Sequence, residues 1–400
     1  MANCPMDIIN ELFLRLPATS LVRCRVLSKP CFSLIDDPDF ITSHLNRTLE
    51  TGDHLMILLR RPGLLRTVEL EAPDNVTEID HPLQTGGLTE VFGSCNGVIG
   101  LYNSPTDLAL FNPSTRKMHR LPYEPLGFSE RSITREFVFY GLGYDSVNDD
   151  YKVVRMLQSK IKGGKDNYGY PVEIKVFSLK RNSWRRIYLD FEVQILFIYF
   201  YYHLLPRRGN GVLACNHLHW ILPRGREIAF NTVIRFDLAF EELGVLDFPQ
   251  DLYIEDNIDI GVLDGSLCLM CYGELSHVDI WVRKEYEVVR SWSKVFRVPI
   301  PESVESFDFL RPLIYSKDRS KILLEINNAN NLMWFDVESQ GLTVVGIKDC
   351  DDSFNAEILV SSLVLGCKGD PTKVQRLKDT TMNKSNKRDG FLSKGFKLKL

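Results

Sequence analysis

The sequence predicts a multi-domain protein in which a short all-α region precedes an all-β, propeller-like domain of about six blades. Apolar residues recur with a helical period in the first forty-odd residues. Beyond them, short runs of alternating apolar and polar residues indicate strands, and one strand–turn–strand pattern repeats along the chain. The predicted domains are residues 1–45, residues 46–367 and a basic tail of residues 368–400.

The helical region begins with a proline and an early acid, which are typical of a helix start. The apolar stripe that follows consists of Ile8, Ile9, Leu12, Phe13 and Leu16. Pro17 ends this helix because proline disfavours helical geometry in the residue before it. We expect Thr19 or Ser20 to cap a second helix, Ser28 to open a third, and the segment 36–38 to close it. Three short helices bury too little apolar surface to be secure alone, so a partner surface is expected.

The β region repeats one pattern around an aromatic residue. The anchoring aromatics are Phe111, Phe177, Phe236, Trp281 and Phe335, at steps of 66, 59, 45 and 54 residues. A repeat of this length, built from about four strands, is typical of a β-propeller. Because Leu55–Leu59 and Thr67–Leu70 supply strands before the first clear repeat, we predict six blades. A pair of packed antiparallel sheets is the alternative.

Composition narrows the class of protein. With 44% hydrophobic and 25% charged residues, the chain has an ordinary globular composition, and its net charge of −4 does not favour nucleic acid as a partner. We see no apolar run long enough to span a membrane and no signal peptide. The nine scattered cysteines suit a reducing compartment, so we expect the cytoplasm and nucleus. The basic cluster Lys384–Arg388 is either a solubilising charge run or a weak nuclear import signal.

The sequence lacks the common catalytic motifs, so we expect no catalytic residues, no metal and no cofactor. Cys268 and Cys271 lie three apart in one predicted strand, where their side chains point to opposite faces, and two core cysteines are expected there. His217 and His219 share one face of a strand, but no third metal ligand is evident.

The helical pattern resembles the F-box, the motif that binds the Skp1 adaptor of a cullin-RING ubiquitin ligase. The resemblance implies a Skp1 contact formed by Pro5, Ile8, Ile9, Leu12, Leu16, Pro17, Leu21, Arg25 and Leu27. The match continues through residues 28–29, 34–35 and 38–40, but Cys31 and Phe32 stand where the family usually has Trp. A helical capping subdomain without a partner is the alternative.

The β region resembles the F-box-associated, kelch-like domain of plant F-box proteins. The supporting stretches are Gly93–Leu101, Phe111–Arg116, Tyr140–Asp145, Asp150–Val154 and Val288–Phe296. The resemblance implies a non-catalytic, substrate-recognition subunit of an SCF ligase. Its partners would be a Skp1-like adaptor, cullin-1 and RING through that adaptor, and a protein substrate. Within the class, the chain is similar to a negative regulator of plant defence, which implies nucleotide-binding leucine-rich-repeat (NLR) immune receptors as substrates.

We expect substrate specificity in turn-rich connections, because loops on a rigid scaffold usually carry recognition. The candidate connections are Glu124–Thr134, Ser159–Tyr170 and Pro249–Asp256, with Glu124, Asp166, Asp251 and Glu255 as candidate contacts to a basic partner. Two other functions are compatible with the sequence: a pollen self-incompatibility-type F-box receptor and a glycan- or small-ligand-binding propeller.

Overall fold

Four helices precede six four-stranded sheets in the structure, a computed structural model. It describes residues 5–61, 63–81, 83, 89–126, 133–161, 172–189, 210–222, 232–249, 252, 257–274, 277–288, 291–300, 309–326, 331–348 and 354–365. The helices are α1 (Met6–Phe13), α2 (Ala18–Cys24), α3 (Lys29–Ile35) and α4 (Pro38–Thr51).

The helical region therefore has one helix more than the sequence predicted. Asp37 accepts hydrogen bonds from the backbone N–H groups of Asp39 and Phe40, so this segment opens α4 as well as closing α3. The helix continues past the predicted boundary at residue 45 and ends at Gly52, which adopts a left-handed conformation. Pro5 and Ser28 precede α1 and α3 as expected. The expected cap of α2 was wrong, because Pro17 occupies that position without a side-chain hydrogen bond.

Each sheet is antiparallel and forms one blade of a propeller. Blade I contains β1 (Leu55–Arg61), β2 (Leu64–Glu69) and β3 (Ala72–Glu78). Blade II contains β4 (Glu90–Cys95), β5 (Val98–Ser104), β6 (Asp107–Asn112) and β7 (Lys117–Arg120). Blade III contains β8 (Ile133–Asp145), β9 (Asp150–Ile161), β10 (Val172–Ser178) and β11 (Ser183–Ile187). Blade IV contains β12 (Val212–Ala214), β13 (His217–Leu222), β14 (Thr232–Asp237) and β15 (Leu243–Leu246).

Two further blades and one returning strand complete the propeller. Blade V contains β16 (Asn257–Leu263), β17 (Ser266–Glu274), β18 (His277–Arg283) and β19 (Trp292–Pro299). Blade VI contains β20 (Leu310–Tyr315), β21 (Lys321–Ile326), β22 (Asn331–Asp336) and β23 (Leu342–Val345). Finally β24 (Asn355–Val360) pairs with β1 and completes blade I.

The six inner strands form a closed ring, in which β4, β8, β12, β16, β20 and β24 each contact the next. This closure confirms six blades and excludes a pair of packed sheets. Four of the five anchoring aromatics, Phe111, Phe177, Phe236 and Phe335, are buried in the third strand of their blades, and Trp281 is half-buried there. Large rings at this position pack neighbouring blades together.

The helices stand at one end of the ring, which we call the helical face. At that end the segment after each inner strand bonds to the next blade or to the chain that leads into it. The bonded pairs are Ser362–Asn96, Asn96–Tyr151, Ser146–Asn216, Cys215–Gly265, Arg319–Asp264 and Lys317–Asp53. Because neighbouring strands are antiparallel, the connections β7–β8, β9–β10 and β15–β16 join strand ends at the opposite, distal face.

Candidate functional site

The helical region is folded around a small core that it shares with the propeller. Ala18, Leu21, Ile35 and Phe40 are buried together with Leu363, which follows β24. Leu21 is 0% exposed, so this predicted Skp1 contact supports the helices from inside. Leu363 was missed by sequence reasoning, because nothing local relates it to helices more than three hundred residues earlier.

Several large apolar side chains of the helical region are left in solvent. Ile8 and Leu12, one helical turn apart on α1, are 51% and 56% exposed, and Leu27 after α2 is 68% exposed. Together with Met6, Val26 and Phe32 we call this set the apolar surface. Exposed apolar groups concentrated in a small helical region are typical of a protein interaction site. Three of the predicted contacts therefore lie on it, whereas Met6, Val26 and Phe32 were not predicted as contacts.

The remaining predicted contacts border the apolar surface or support it. Pro5 is exposed at the start of α1, whereas Ile9, Leu16 and Pro17 are half-buried. Arg25 forms an ion pair of 2.5 Å with Asp36. Its guanidinium carbon lies 4.9 Å from the centre of the exposed Phe32 ring. This stacking holds the ring that stands where the family usually has Trp.

Two histidines fix the turn between α1 and α2. His44, fully buried on α4, donates from Nε2 to the carbonyl oxygen of Leu16 at 2.8 Å. His54 donates in the same way to Arg15 at 3.1 Å. Burial lowers the pKa of His44, so the ring stays neutral. The turn at residues 15–17 is thus anchored to α4 by His44 and to the segment before β1 by His54.

Polar groups on both sides of Leu363 attach the helical region to the propeller. The amide of buried Asn112 donates to the carbonyl oxygens of Ser362 and Val364 at 3.0 and 2.7 Å. At the surface, Lys317 bridges Asp53 and Glu71. The position of the apolar surface relative to the propeller is therefore fixed by buried contacts.

The predicted substrate contacts lie in connections that begin and end at the distal face. Glu124 is engaged within the protein, because Lys175 donates to its carboxylate at 2.5 Å. The same lysine and Arg155 also donate to the carbonyl oxygen of Pro125. Glu124 therefore helps to hold its segment against blade III. Asp166, Asp251 and Glu255 lie outside the described residues.

The histidine and cysteine pairs have structural roles. His219 donates from Nδ1 to Val212 and accepts at Nε2 from the Tyr286 hydroxyl at 2.7 Å, while His217 contacts Asp237. Cys268 and Cys271 are buried in different clusters on opposite faces of β17, as predicted. Within the described ranges no three His, Cys, Asp or Glu residues are placed to hold a metal ion. No described helix combines the length and apolarity needed to cross a membrane.

A helical region with an exposed apolar surface, fixed to a closed propeller, defines a two-part interaction protein. Residues 1–43 match the F-box domain, and residues 54–368 match the F-box associated beta propeller domain. The chain is an F-box protein and belongs to the F-box associated β-propeller family.

Relatives from Arabidopsis thaliana match along most or all of the chain. F-box protein At4g22390 is 72% identical and F-box protein CPR1 is 58% identical, and each match covers 100% of both chains. F-box/kelch-repeat protein At3g23880 is 27% identical over 82% of this chain and 86% of its own. The resemblance inferred from the sequence is confirmed at the level of the family.

Proposed function

We propose that this F-box protein is the substrate-recognition subunit of an SCF ubiquitin ligase. The observation that carries the proposal is the apolar surface, in which Ile8, Leu12 and Leu27 are more than half exposed. An adaptor of the Skp1 type would bury these side chains and gain the free energy of removing them from water. Cullin-1 and the RING subunit would join through that adaptor.

A receptor of this kind works by proximity and needs no nucleophile of its own. The adaptor would bind the apolar surface of the helices, while the propeller would hold a protein substrate on a separate surface. The contacts of Leu363 and Asn112 hold the helical region and the propeller together. This attachment would keep a bound substrate at a defined distance from the ubiquitin-conjugating enzyme.

The biological assignment within this function rests on resemblance to a plant regulator of defence. It makes the protein a negative regulator of immunity that directs NLR immune receptors to the proteasome, in the cytoplasm and nucleus. In cells that lack this protein, such a receptor should be degraded more slowly.

The test is affinity capture from plant cells under proteasome inhibition. A Leu12→Asp/Leu27→Asp variant should lose adaptor and cullin by at least about tenfold, because each carboxylate would enter an apolar contact. Leu49→Asp is the control, with one carboxylate in place of two, since Leu49 is a 51% exposed leucine of α4 outside the apolar surface. Equal recovery of the adaptor with the wild type, the double variant and the control would contradict the proposed function.

A further inference from the structure

The outer strands of blades II and III lie side by side at the rim of the propeller. His119 on β7 contacts the amide oxygen of Asn182, in the turn before β11, at 2.9 Å. Further along, Trp184 of β11 donates from its indole N–H to the carbonyl oxygen of Pro122 at 3.0 Å. The two strands and their flanking residues therefore form one continuous surface.

This surface is strongly basic. Residues 116–120 and 180–188, which we call the basic rim, hold seven Lys or Arg residues and no Asp or Glu, although the whole chain has a net charge of −4. The cations are Arg116, Lys117, Arg120, Lys180, Arg181, Arg185 and Arg186. All except half-buried Lys117 are exposed.

Neighbouring carboxylates neutralise only part of this charge. Ion pairs join Arg120 to Asp107 at 2.6 Å, Arg186 to Glu173 at 3.6 Å, Lys180 to Asp149 at 4.0 Å, and Arg185 to Glu241. Arg116, Lys117 and Arg181 have no ion-pair partner among the described residues. Three positive charges are thus free to attract a partner.

Exposed aromatic rings stand at the distal end of the basic rim. Tyr123 and Tyr188 are 73% and 84% exposed. The guanidinium carbon of Arg186 lies 5.6 Å from the centre of the Tyr188 ring, and Tyr123 follows the Pro122 carbonyl that Trp184 holds. Tyrosine and arginine held on a rigid scaffold are enriched among residues that dominate binding energy.

We propose that the basic rim, with Tyr123 and Tyr188, binds an acidic segment of a protein partner that also carries aromatic or aliphatic side chains. This inference rests on the proposed function, because a ligase receptor requires a protein substrate, and it assigns the chemistry of that substrate. Carboxylates of the partner meet Arg116, Lys117 and Arg181, and its apolar side chains pack on the two tyrosines. A nucleic acid fits less well, because four of the seven cations already face carboxylates, and three unpaired cations are few for a phosphate backbone, which DNA-binding proteins commonly contact at about six to ten phosphates.

The test uses the full chain co-purified with its adaptor and a labelled peptide in which Asp and Glu alternate with Leu and Phe. Fluorescence anisotropy should show binding that weakens with salt. An Arg116→Glu/Lys117→Glu/Arg181→Glu variant should bind at least about tenfold more weakly, because attraction becomes repulsion at three positions. These positions have no ion pair to lose, so the fold should be retained.

The matched control is Lys284→Glu/Lys321→Glu/Lys348→Glu, which makes the same change in net charge at three other exposed lysines. It should bind the peptide with nearly the affinity of the wild type. A Tyr123→Ala/Tyr188→Ala variant should lose the part of the affinity that persists at high salt.

Failure of the wild type to bind the peptide, or equal affinity of the two triple variants, would overturn the proposal. Tighter binding of a single-stranded oligonucleotide of equal charge would assign the rim to nucleic acid instead. Binding of only a phosphorylated version of the peptide would also overturn the assignment to carboxylates. Every rim variant should still co-purify with the adaptor. A loss of peptide binding with the adaptor retained would concern the basic rim alone and would leave the proposed function intact.

Discussion

Gly97 and Gly265 occupy equivalent turns, between the first and second strands of blades II and V, but their surroundings differ. Both have positive φ, 81° and 73°, in tight turns that follow Asn96 and Asp264. A Cβ atom at Gly97 would lie 2.4 Å from the Ser362 hydroxyl oxygen, whereas one at Gly265 would have nothing within 4 Å. Turn geometry therefore favours glycine at both positions, and the close approach of Ser362 requires it at Gly97.

Alanine substitutions separate these two requirements. Gly265→Ala should lower the free energy of unfolding by about 1–2 kcal/mol, the cost of a side chain in left-handed geometry. Gly97→Ala should lose about 1–3 kcal/mol more, because the added methyl group clashes with the segment that carries Leu363. Chemical denaturation of the two variants measures the difference. Equal losses would mean that Ser362 does not press on this turn.

His219 makes stability depend on pH through a contact between blades IV and V. Burial lowers the pKa of His219 to about 3, and its neutral ring accepts from Tyr286. The unfolded chain protonates this histidine near pH 6.5, so the unfolded state is favoured as the pH falls below that value. Stability contributed by neutral His219 is therefore complete above about pH 6.5 and declines towards about pH 3.

A His219→Gln variant isolates this effect. Between about pH 7.5 and about pH 5, the wild type should lose about 2 kcal/mol more unfolding free energy than the variant. His44 and His81, whose pKa values are also lowered by burial, contribute equally to both proteins. Urea denaturation at the two pH values gives the comparison, and identical pH dependence would contradict a buried neutral His219.

Among the elements, the aromatic repeat predicted blades II to VI, but blade I could not be found in the same way. Its third strand, β2, has no aromatic anchor, and its inner strand, β24, comes from the opposite end of the described chain. Helix α4 was missed because one Asp-Pro pair both closes α3 and opens α4. Elements with a periodic signal in the local sequence were thus predictable. Blade I and α4 were not, because they depend on contacts made in the folded chain.

Leu363 packs between the helical region and the propeller, which the sequence predicted as separate domains. Leu363→Ala should cost about 2–5 kcal/mol, because it leaves a cavity between the helices and the propeller. Hydrogen exchange should accelerate mainly in α2, α3 and the start of α4, which supply the other buried side chains of that core. Val344→Ala, at a 60% exposed position, serves as the control and should change little. Unchanged protection of the helices would mean that they fold without this side chain.

At the scale of the whole molecule, the fold separates two kinds of surface. Half of the apolar surface was predictable, because Ile8, Leu12 and Leu27 belong to a local motif. The basic rim was not, because it combines two strands about sixty residues apart that only the propeller brings together. The sequence predicted that carboxylates of this protein contact a basic partner. In the structure Glu124 is ion-paired with Lys175, and the exposed charge on the basic rim is positive.

The most direct test of the account is calorimetric titration of a purified Skp1-type adaptor into the full-length protein. We predict saturable binding with a negative heat-capacity change, because apolar side chains leave water. The Leu12→Asp/Leu27→Asp variant should lose most of the affinity, and Leu49→Asp should retain it. Absence of binding by the wild type, or equal affinity of the two variants, would contradict the claim that the exposed helices of this F-box protein bind the ligase adaptor.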